Sequence, residues 1–171
     1  MSLSDIEQQL GLDGPVGKPP VEQWNPPLSG DMDMLIRKDG VWLHEGDPIK
    51  REKLVRLFAS ILKKEGDDYF LVTPVEKWRI RVEDRPLLVQ LIDHQAEGIQ
   101  VVTNGGDAFV LGKDHPLRMS ELDGVGVPEV HVRHNLWARF SRNAFYQLSA
   151  MAEETEQGVC IKSGGEVFVI G

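Results

Sequence analysis

The sequence of 171 residues is 41% hydrophobic and 27% charged, an ordinary balance for one mid-sized globular domain or two small ones. Lysine and arginine number 19 against 27 aspartates and glutamates, and the net charge of −8 argues against nucleic acid and anionic membranes as partners. No apolar run approaches the ~20 residues of a membrane-spanning helix, and the acidic N-terminus lacks the apolar stretch of a signal peptide. The single cysteine, Cys160, excludes an intramolecular disulfide and any CxxC motif. We therefore expect a cytoplasmic protein.

Residues 1–28 are predicted to form an arm ahead of the folded units. A capping-box pattern at its start predicts a short helix from Asp5 to Leu10. Five of the ten prolines follow between Pro15 and Pro27, a density typical of an extended, polyproline-like segment. Trp24 lies within this segment, and its large apolar ring is expected to pack the arm against the body of the protein.

Residues 29–84 are predicted to form an α+β unit of hairpin, helix and hairpin, with the second hairpin around residues 73–77. Lys38-Asp39-Gly40 stands between two alternating apolar segments, which is a strong signal for a tight hairpin. Asp47-Pro48 is typical of a helix start, because the missing proline N–H does no harm there. The apolar residues that follow recur at helical spacing and predict one buried helix face. The residues of this face are Leu54, Leu57, Phe58, Ile61 and Leu62.

Residues 85–171 are predicted to repeat this scheme with additions. The apolar run Leu87–Ile92 favours a strand. Asn104-Gly105-Gly106-Asp107 predicts another tight hairpin between two apolar segments. The segment Glu121–Pro128, rich in glycine and proline, is interpreted as a loop. Apolar and polar residues then alternate over Glu129–Arg139, which predicts one long strand.

The order hairpin, helix, hairpin occurs twice, which indicates an internal duplication. In the second half the helix begins after Ser141, a typical capping residue, and a last hairpin follows it. Val102–Gly112 reads VTNGGDAFVLG and Ile161–Gly171 reads IKSGGEVFVIG, with five of eleven positions identical. Part of this identity is turn chemistry, because any tight hairpin favours Gly-Gly. We therefore predict a duplicated α+β fold whose halves join near residues 83–86.

Sequence motifs for catalysis or metal binding are absent. The chain contains no Walker loop, no GxGxxG between a strand and a helix, no HExxH and no GxSxG. His131 and His134 stand three residues apart, and on a strand such positions face opposite sides. Cys160 lies within a predicted strand and is expected to be a buried apolar side chain. We therefore predict neither catalytic residues nor metal ligands, and the sequence identifies no cofactor.

Polar side chains with strong hydrogen-bonding chemistry occur where the predicted strands end. They supply several cations, two imidazoles and neutral donors, a set suited to holding an anion by charge-assisted hydrogen bonds. The candidate ligand-binding residues are His44, Thr73, Glu76, Lys77, Asn104, His115, Arg118, Arg133, Asn135 and Arg139. The alternative is that these residues pair internally with acidic residues and hold the halves together. The acidic residues are Glu45, Glu76, Asp114 and Glu129.

Four blocks of this sequence resemble a catalogued protein family. They are GDMDMLIRKDGVWLHEGDPIKREKLVRLFASIL, YFLVTPVEKWRIRVED, VTNGGDAFVLGKDHPLR and VRHNLWARFSRNAFYQL, and the similarity extends over about residues 26–171. The family is proteobacterial and is known as domain-of-unknown-function family 1285. The resemblance implies a duplicated α+β core whose second half is similar to a pleckstrin-homology barrel. It also implies a site at the interface of the halves for a nucleotide-like ligand, and a part in signal transduction.

Three functions remain open on the sequence. The first is a non-catalytic module that binds a small anionic ligand and has a signalling role. The second is a protein-interaction module, in which the proline-rich arm or an exposed strand edge contacts a protein partner. The third is an enzyme whose catalytic groups come together only in the fold, since groups assembled from distant positions leave no local motif.

Overall fold

The computed structural model describes residues 5, 6, 8 and 18–171. The chain divides into two compact units, and the division falls between Glu83 and Asp84. The fold is mostly β, with short helices, arranged in two halves. Within the described ranges, no helix has both the length and the apolar character required to cross a membrane.

From residue 18 onward, the N-terminal unit contains a six-stranded sheet and one α-helix. The strands are β1 (Gly30–Ile36), β2 (Trp42–His44), β3 (Asp47–Pro48), β4 (Leu62–Glu65), β5 (Asp68–Val72) and β6 (Lys77–Val82). Their order across the sheet is β3-β2-β1-β6-β5-β4. The β1–β6 pair is parallel and the other pairs are antiparallel. The sheet therefore joins two three-stranded meanders through the first strand of one and the last strand of the other.

The C-terminal unit repeats this strand order. Its main sheet consists of β7 (Leu87–Gln95), β8 (Gly98–Thr103), β9 (Ala108–Val110), β10 (Leu117–Leu122), β11 (Val125–Arg133) and β12 (Leu136–Phe140). The order β10-β11-β12-β7-β8-β9 again joins two meanders, through the parallel pair β7–β12. A three-stranded sheet follows, formed by β13 (Glu153–Thr155), β14 (Gly158–Ser163) and β15 (Glu166–Val169). The predicted duplication is therefore present as a duplicated six-stranded sheet.

The two longer helices occupy different places in the two units. Helix α1 (Glu52–Ser60) connects β3 to β4, whereas the corresponding connection from β9 to β10 contains no helix. Helix α2 (Arg142–Ala150) follows β12 and packs against β7 and β12. The two similar eleven-residue stretches form the β8–β9 and β14–β15 hairpins, which both belong to the C-terminal unit. The structural repeat is thus the sheet, and the predicted order of hairpin, helix and hairpin does not describe it.

The helix start predicted at Asp47-Pro48 is wrong. These residues form β3, which pairs with β2 at the edge of the sheet, where a proline without an N–H is tolerated. Helix α1 spans Glu52–Ser60 instead. Ile61 and Leu62, predicted on the helix face, lie beyond the helix end but are fully buried, whereas Leu57 is only half-buried.

The loop predicted over Glu121–Pro128 and the single strand predicted over Glu129–Arg139 are both wrong. β10 and β11 form a hairpin whose turn at Asp123-Gly124 has positive φ at both residues, 52° and 81°. A second tight turn, with φ of 51° at His134, separates β11 from β12. This second turn brings the two ends of the predicted strand opposite each other.

The described part of the arm is not extended throughout. Val21–Gln23 forms a 3₁₀ turn, in which the valine is buried. Lys63 Nζ donates a hydrogen bond to Trp24 O at 3.1 Å, which holds this segment to β4, and the tryptophan side chain is half-buried. Of the helix predicted from Asp5 to Leu10, residues 5, 6 and 8 are helical. The rest of that helix and residues 11–17 lie outside the described residues.

The main sheet of the C-terminal unit is curled and has one apolar face. β9 and β10 are its two edges, which would lie about 24 Å apart in a flat sheet with five strand spacings. The ring of Phe109 on β9 nevertheless stacks on His115, just before β10, with centroids 4.0 Å apart. The buried apolar residues include Leu87, Val89, Val130, Val132, Leu136, Ala138 and Phe140. The opposite face carries the charged residues Arg118, Glu129 and Arg139.

Candidate functional site

The charged face of the C-terminal sheet places three ionic residues side by side. The strand register pairs Arg118 of β10 with Glu129 of β11, and Glu129 with Arg139 of β12. Glu129 is fully buried and Arg139 is 2% exposed, which is rare for charged side chains unless they are paired. Asp84 and Arg85, which precede β7, contact these residues and complete the group. These five residues are named the charge cluster.

All three guanidinium nitrogens of Arg139 donate hydrogen bonds to residues of the C-terminal unit. Nε and Nη2 donate to the two carboxylate oxygens of Asp84 at 2.8 and 3.0 Å, the bidentate geometry of a strong ion pair. Nη1 donates to Ser120 Oγ at 2.8 Å and to Val127 O at 2.9 Å. Arg139 therefore ties the segment before β7 to both β10 and β11.

Glu129 is held by two arginines and a hydroxyl group. Arg85 donates to both carboxylate oxygens, from Nε to Oε1 at 3.0 Å and from Nη2 to Oε2 at 2.8 Å. Ser120 Oγ donates to Oε2, and Arg118 Nη2 donates to Oε1 at 3.2 Å. Burial by itself raises the pKa of Glu129, but these hydrogen bonds and the charges of Arg85 and Arg118 outweigh burial and lower the pKa to about 2. Glu129 is therefore an anion at neutral pH.

Arg118 is the most exposed of the three arginines of the charge cluster. Its side chain is 54% exposed, and its guanidinium carbon lies 3.6 Å from the centre of the Trp137 ring, a cation–π arrangement. Nη2 contacts Glu129, whereas Nε and Nη1 have no hydrogen-bond partner among the described residues. Three arginines face two carboxylates in the charge cluster, so one positive charge is in surplus. Because the other members are more buried, this surplus is presented to solvent at Arg118.

A row of rings continues from Arg118 along the same face. Trp137 packs edge-on against His131 with centroids 5.4 Å apart, and His131 faces His115 at 6.4 Å. His115 in turn stacks on Phe109. His115 Nδ1 lies 3.0 Å from the backbone oxygen of His131, and since a carbonyl only accepts, Nδ1 carries the proton and donates. The four rings and the Arg118 guanidinium are named the ring row.

Two other candidates stabilise the β8–β9 turn. Arg133 Nη1 donates to Asp107 Oδ1 at 2.6 Å. Asn104 exchanges hydrogen bonds with the backbone of Leu88, its N–H donating at 2.9 Å and its Oδ1 accepting at 3.0 Å. Asn135 is exposed in the turn between β11 and β12. Arg133 and Asn104 are therefore engaged in hydrogen bonds inside the C-terminal unit.

The remaining candidates belong to the N-terminal unit. Thr73 is buried, and its Oγ1 accepts from Glu76 N at 3.0 Å, which closes the turn between β5 and β6. Lys77 Nζ donates to Glu65 Oε2 at 2.5 Å, and this hydrogen bond is the main reason why the pKa of Glu65 is lowered. His44 ends β2 and is half-buried. Thr73 and Lys77 therefore both bond to residues of the N-terminal unit itself.

Two family models match almost the whole described chain. The N-terminal domain of DUF1285, a domain of unknown function, matches residues 19–85, and the DUF1285 C-terminal domain matches residues 81–170. The chain belongs to the DUF1285 family. The resemblance inferred from the four sequence blocks is therefore confirmed. No curated protein matches this sequence.

Two solved structures of DUF1285 proteins are similar to this chain. The protein from Silicibacter pomeroyi DSS-3 is 38% identical with a TM-score of 0.90, over 99% of this chain and 94% of that chain. The protein from Shewanella baltica OS155 is 31% identical with a TM-score of 0.55, over 68% of this chain and 89% of that chain. The first comparison extends over both units, so this chain and the Silicibacter pomeroyi protein have the same two-unit architecture.

In this DUF1285 protein, three of the ten sequence candidates lie in or next to the charge cluster. Arg118 and Arg139 belong to the cluster, and His115 belongs to the ring row. Sequence reasoning missed Arg85 and Trp137. The signal that could have indicated Arg85 is its place two residues before a strand that begins with apolar residues, where a charged side chain needs a partner.

Proposed function

We propose that this DUF1285 protein is a non-catalytic module that binds a small anionic, nucleotide-like ligand and has a signalling role in the cytoplasm. The observation that carries the proposal is Arg118, a half-exposed guanidinium that presents the surplus charge of the cluster. A phosphate or carboxylate group can accept from its Nε and Nη1 in a bidentate geometry. The free and buried Cys160, the single cysteine of the chain, agrees with a reducing compartment.

The ring row supports the nucleotide-like part of the proposal. Trp137 lies against the guanidinium of Arg118, and both imidazoles follow on the same face. Stacking on an aromatic side chain contributes ~1–3 kcal/mol of binding free energy for each base, and an arginine guanidinium adds a cation–π attraction. With its proton on Nδ1, His115 offers Nε2 as an acceptor for a ligand N–H or O–H. A ligand that combines a flat ring with an anionic group would therefore find complementary side chains along the ring row.

The pleckstrin-homology-like character of the C-terminal unit is part of the same proposal. The curled six-stranded sheet and the packing of α2 against β7 and β12 support it. Such a likeness concerns the fold, and the function is argued from Arg118 and its neighbours. The contribution of His44, Thr73, Glu76 and Lys77 to a ligand site, expected from their positions at predicted strand ends, stays a prediction.

Arg118→Ala is expected to weaken ligand binding by about tenfold or more, the loss of ~1.4 kcal/mol that a charge-assisted contact readily accounts for. A thermal-shift screen of nucleoside mono-, di- and triphosphates identifies the ligand, since a compound at 100 times its Kd adds ~2.7 kcal/mol of stability. Titration calorimetry then compares the Kd of wild type and variant. Because Arg118 is half-exposed, its replacement is expected to change the free energy of unfolding by less than about 1 kcal/mol.

Arg142→Ala is the matched control for this experiment. Arg142 is exposed at the start of α2 and carries the same charge outside the charge cluster. An equal loss of affinity in both variants would show a general effect of net charge and would contradict the site. Retention of full affinity by a folded Arg118→Ala protein would contradict it as well. If no anionic compound stabilises the wild type, the protein-interaction alternative replaces this proposal.

A further inference from the structure

We infer that Arg85 is a positioning residue for anion binding at Arg118: by occupying Glu129, it leaves Arg118 available to a ligand. The inference rests on the proposed function, because it concerns the same site and names a further residue on which that site depends. Arg85 acts through Glu129 and does not need to touch the ligand.

Two guanidinium groups converge on one oxygen of Glu129. Arg85 Nε donates to Oε1 at 3.0 Å, and Arg118 Nη2 donates to the same oxygen at 3.2 Å. Arg85 adds a second bond, from Nη2 to Oε2 at 2.8 Å, so it holds the carboxylate as a fork. Bidentate pairs of arginine and carboxylate are the stronger and more directional ones. Arg85 is therefore the main partner of Glu129, whereas Arg118 donates a single hydrogen bond to this carboxylate.

Because Glu129 is buried, its carboxylate needs a neighbouring arginine as an ion-pair partner. The Glu129 side chain has no exposed surface, so an unpaired charge there has no access to water. The Arg85 side chain is 27% exposed and that of Arg118 is 54% exposed. Arg85, the more buried arginine, thus pairs with the buried carboxylate. Arg118, the more exposed one, has two nitrogens available to another acceptor.

Arg139 Nη1 also lies 4.0 Å from Glu129 Oε2, but its bidentate pair with Asp84 holds Arg139 in place. Without Arg85, Arg118 is therefore the cation best placed to replace it. It lies directly opposite Glu129 on the neighbouring strand, and its Nε and Nη1 have no partner among the described residues. If Arg118 turns inward and binds both carboxylate oxygens, two arginines face two carboxylates, Asp84 and Glu129. The charge cluster then has no surplus positive charge, and the Arg118 nitrogens that would hold an anion are bound to Glu129.

Removing the charge of Glu129 at the same time is expected to reverse this effect. In the double variant Arg85→Ala with Glu129→Gln, Arg118 and Arg139 face only Asp84, so one positive charge is again in surplus. The neutral glutamine attracts Arg118 far less than a carboxylate does. The double variant therefore has the wild-type charge surplus without either member of the Arg85–Glu129 pair.

The test uses inorganic phosphate as the probe. Full-length protein in a phosphate-free buffer at pH 7 and constant ionic strength is titrated with sodium phosphate, and the Nε–Hε NMR signal of Arg118 is followed. The proteins compared are wild type, Arg118→Ala, Arg85→Ala, Arg85→Lys and the double variant, each checked for folding by circular dichroism. Arg118→Ala identifies the signal and tests the proposed function independently.

Arg85→Ala is expected to weaken phosphate binding by about tenfold or more and to slow the exchange of the Arg118 Nε proton with water, because Glu129 then accepts from it. Arg85→Lys keeps a positive charge beside the Glu129 carboxylate. The double variant lacks both the positive charge of Arg85 and the negative charge of Glu129. Both variants are expected to bind phosphate with a Kd within about threefold of the wild-type value. A purely structural role of Arg85 would not move the Arg118 signal in this way.

The outcomes separate the inference from the proposed function. If Arg118→Ala binds phosphate as the wild type does, the proposed site is wrong. If Arg118→Ala loses binding but folded Arg85→Ala retains it, only the inference is overturned. The inference is also overturned if the folded double variant loses binding by about tenfold. Should Arg85→Ala not fold, Arg85→Lys and the double variant decide the question by the same criterion.

Discussion

Replacing Glu129 by glutamine is expected to lower the free energy of unfolding by ~3–5 kcal/mol, the cost typical of removing one partner of a buried ion pair. The Glu129 side chain has no exposed surface, and Arg85 and Arg118 both donate to its oxygens. Glutamine preserves the shape and one acceptor oxygen but removes the charge that compensates the arginines. Urea denaturation at pH 7 with linear extrapolation measures the loss.

Glu121→Gln is the control for this substitution. Glu121 lies on β10 like Arg118, but it is exposed, and such surface changes usually alter the free energy of unfolding by less than ~0.5 kcal/mol. The same chemical change at two sites of one sheet then isolates the effect of burial and pairing. A loss at Glu129 as small as the loss at Glu121 would show that the buried charge adds nothing to stability.

The same carboxylate makes the fold sensitive to acid. Burial raises the pKa of Glu129, but the bonds from Arg85 and Ser120 and the charge of Arg118 bring the pKa to about 2, below its ordinary value of 4.5. A carboxyl group whose pKa is lowered by folding stabilises the fold above the unfolded-state pKa, and this contribution is lost as the pH falls from about 4.5 towards 2. At 1.36 kcal/mol for each pKa unit, the contribution is about 3 kcal/mol. The stability difference between wild type and Glu129→Gln should therefore narrow below pH 4.5 in urea melts, and a difference that is constant with pH would contradict this.

The charge cluster depends on a turn that the sequence does not indicate. The segment Glu129–Arg139 alternates so regularly that one strand is its simplest interpretation, and in one strand its two ends would lie about 33 Å apart. The chain instead reverses at His134, with a left-handed φ of 51° that residues other than glycine seldom adopt. The reversal pairs Glu129 with Arg139 across two strands. A buried ion network is thus concealed in a sequence typical of a solvated strand.

Features encoded by a few neighbouring residues were predicted correctly. The hairpins around Lys38-Asp39-Gly40 and Asn104–Asp107 connect β1 to β2 and β8 to β9. Ser141 caps α2, its Oγ accepting from Ala144 N at 3.1 Å. The parallel pairs β1–β6 and β7–β12, in contrast, join segments far apart in sequence, and no local pattern indicates which strands meet. No local pattern indicates Arg85 and Trp137 either, because Arg85 contacts Glu129 on β11 and Trp137 contacts Arg118 on β10.

Phe58→Ala is expected to lower the free energy of unfolding by ~3–5 kcal/mol, the usual cost of truncating a buried phenylalanine. Phe58 is fully buried on α1, and its ring stacks on the equally buried Trp42 with centroids 6.4 Å apart. The alanine removes the ring contact that links the helix to β2 of the N-terminal sheet. The loss is measured by urea denaturation followed by circular dichroism.

Leu57→Ala is the matched comparison, because the helical periodicity predicted Leu57 and Phe58 on one buried face. In the structure α1 ends at Ser60, and Leu57 stays half-buried while Phe58 points into the core. A partly exposed leucine contributes less, so we expect a loss of about 1 kcal/mol. Equal losses of unfolding free energy in Leu57→Ala and Phe58→Ala would mean that α1 is rotated so that Leu57 is also buried in the core. A loss below about 1 kcal/mol for Phe58→Ala would contradict the packing of this helix altogether.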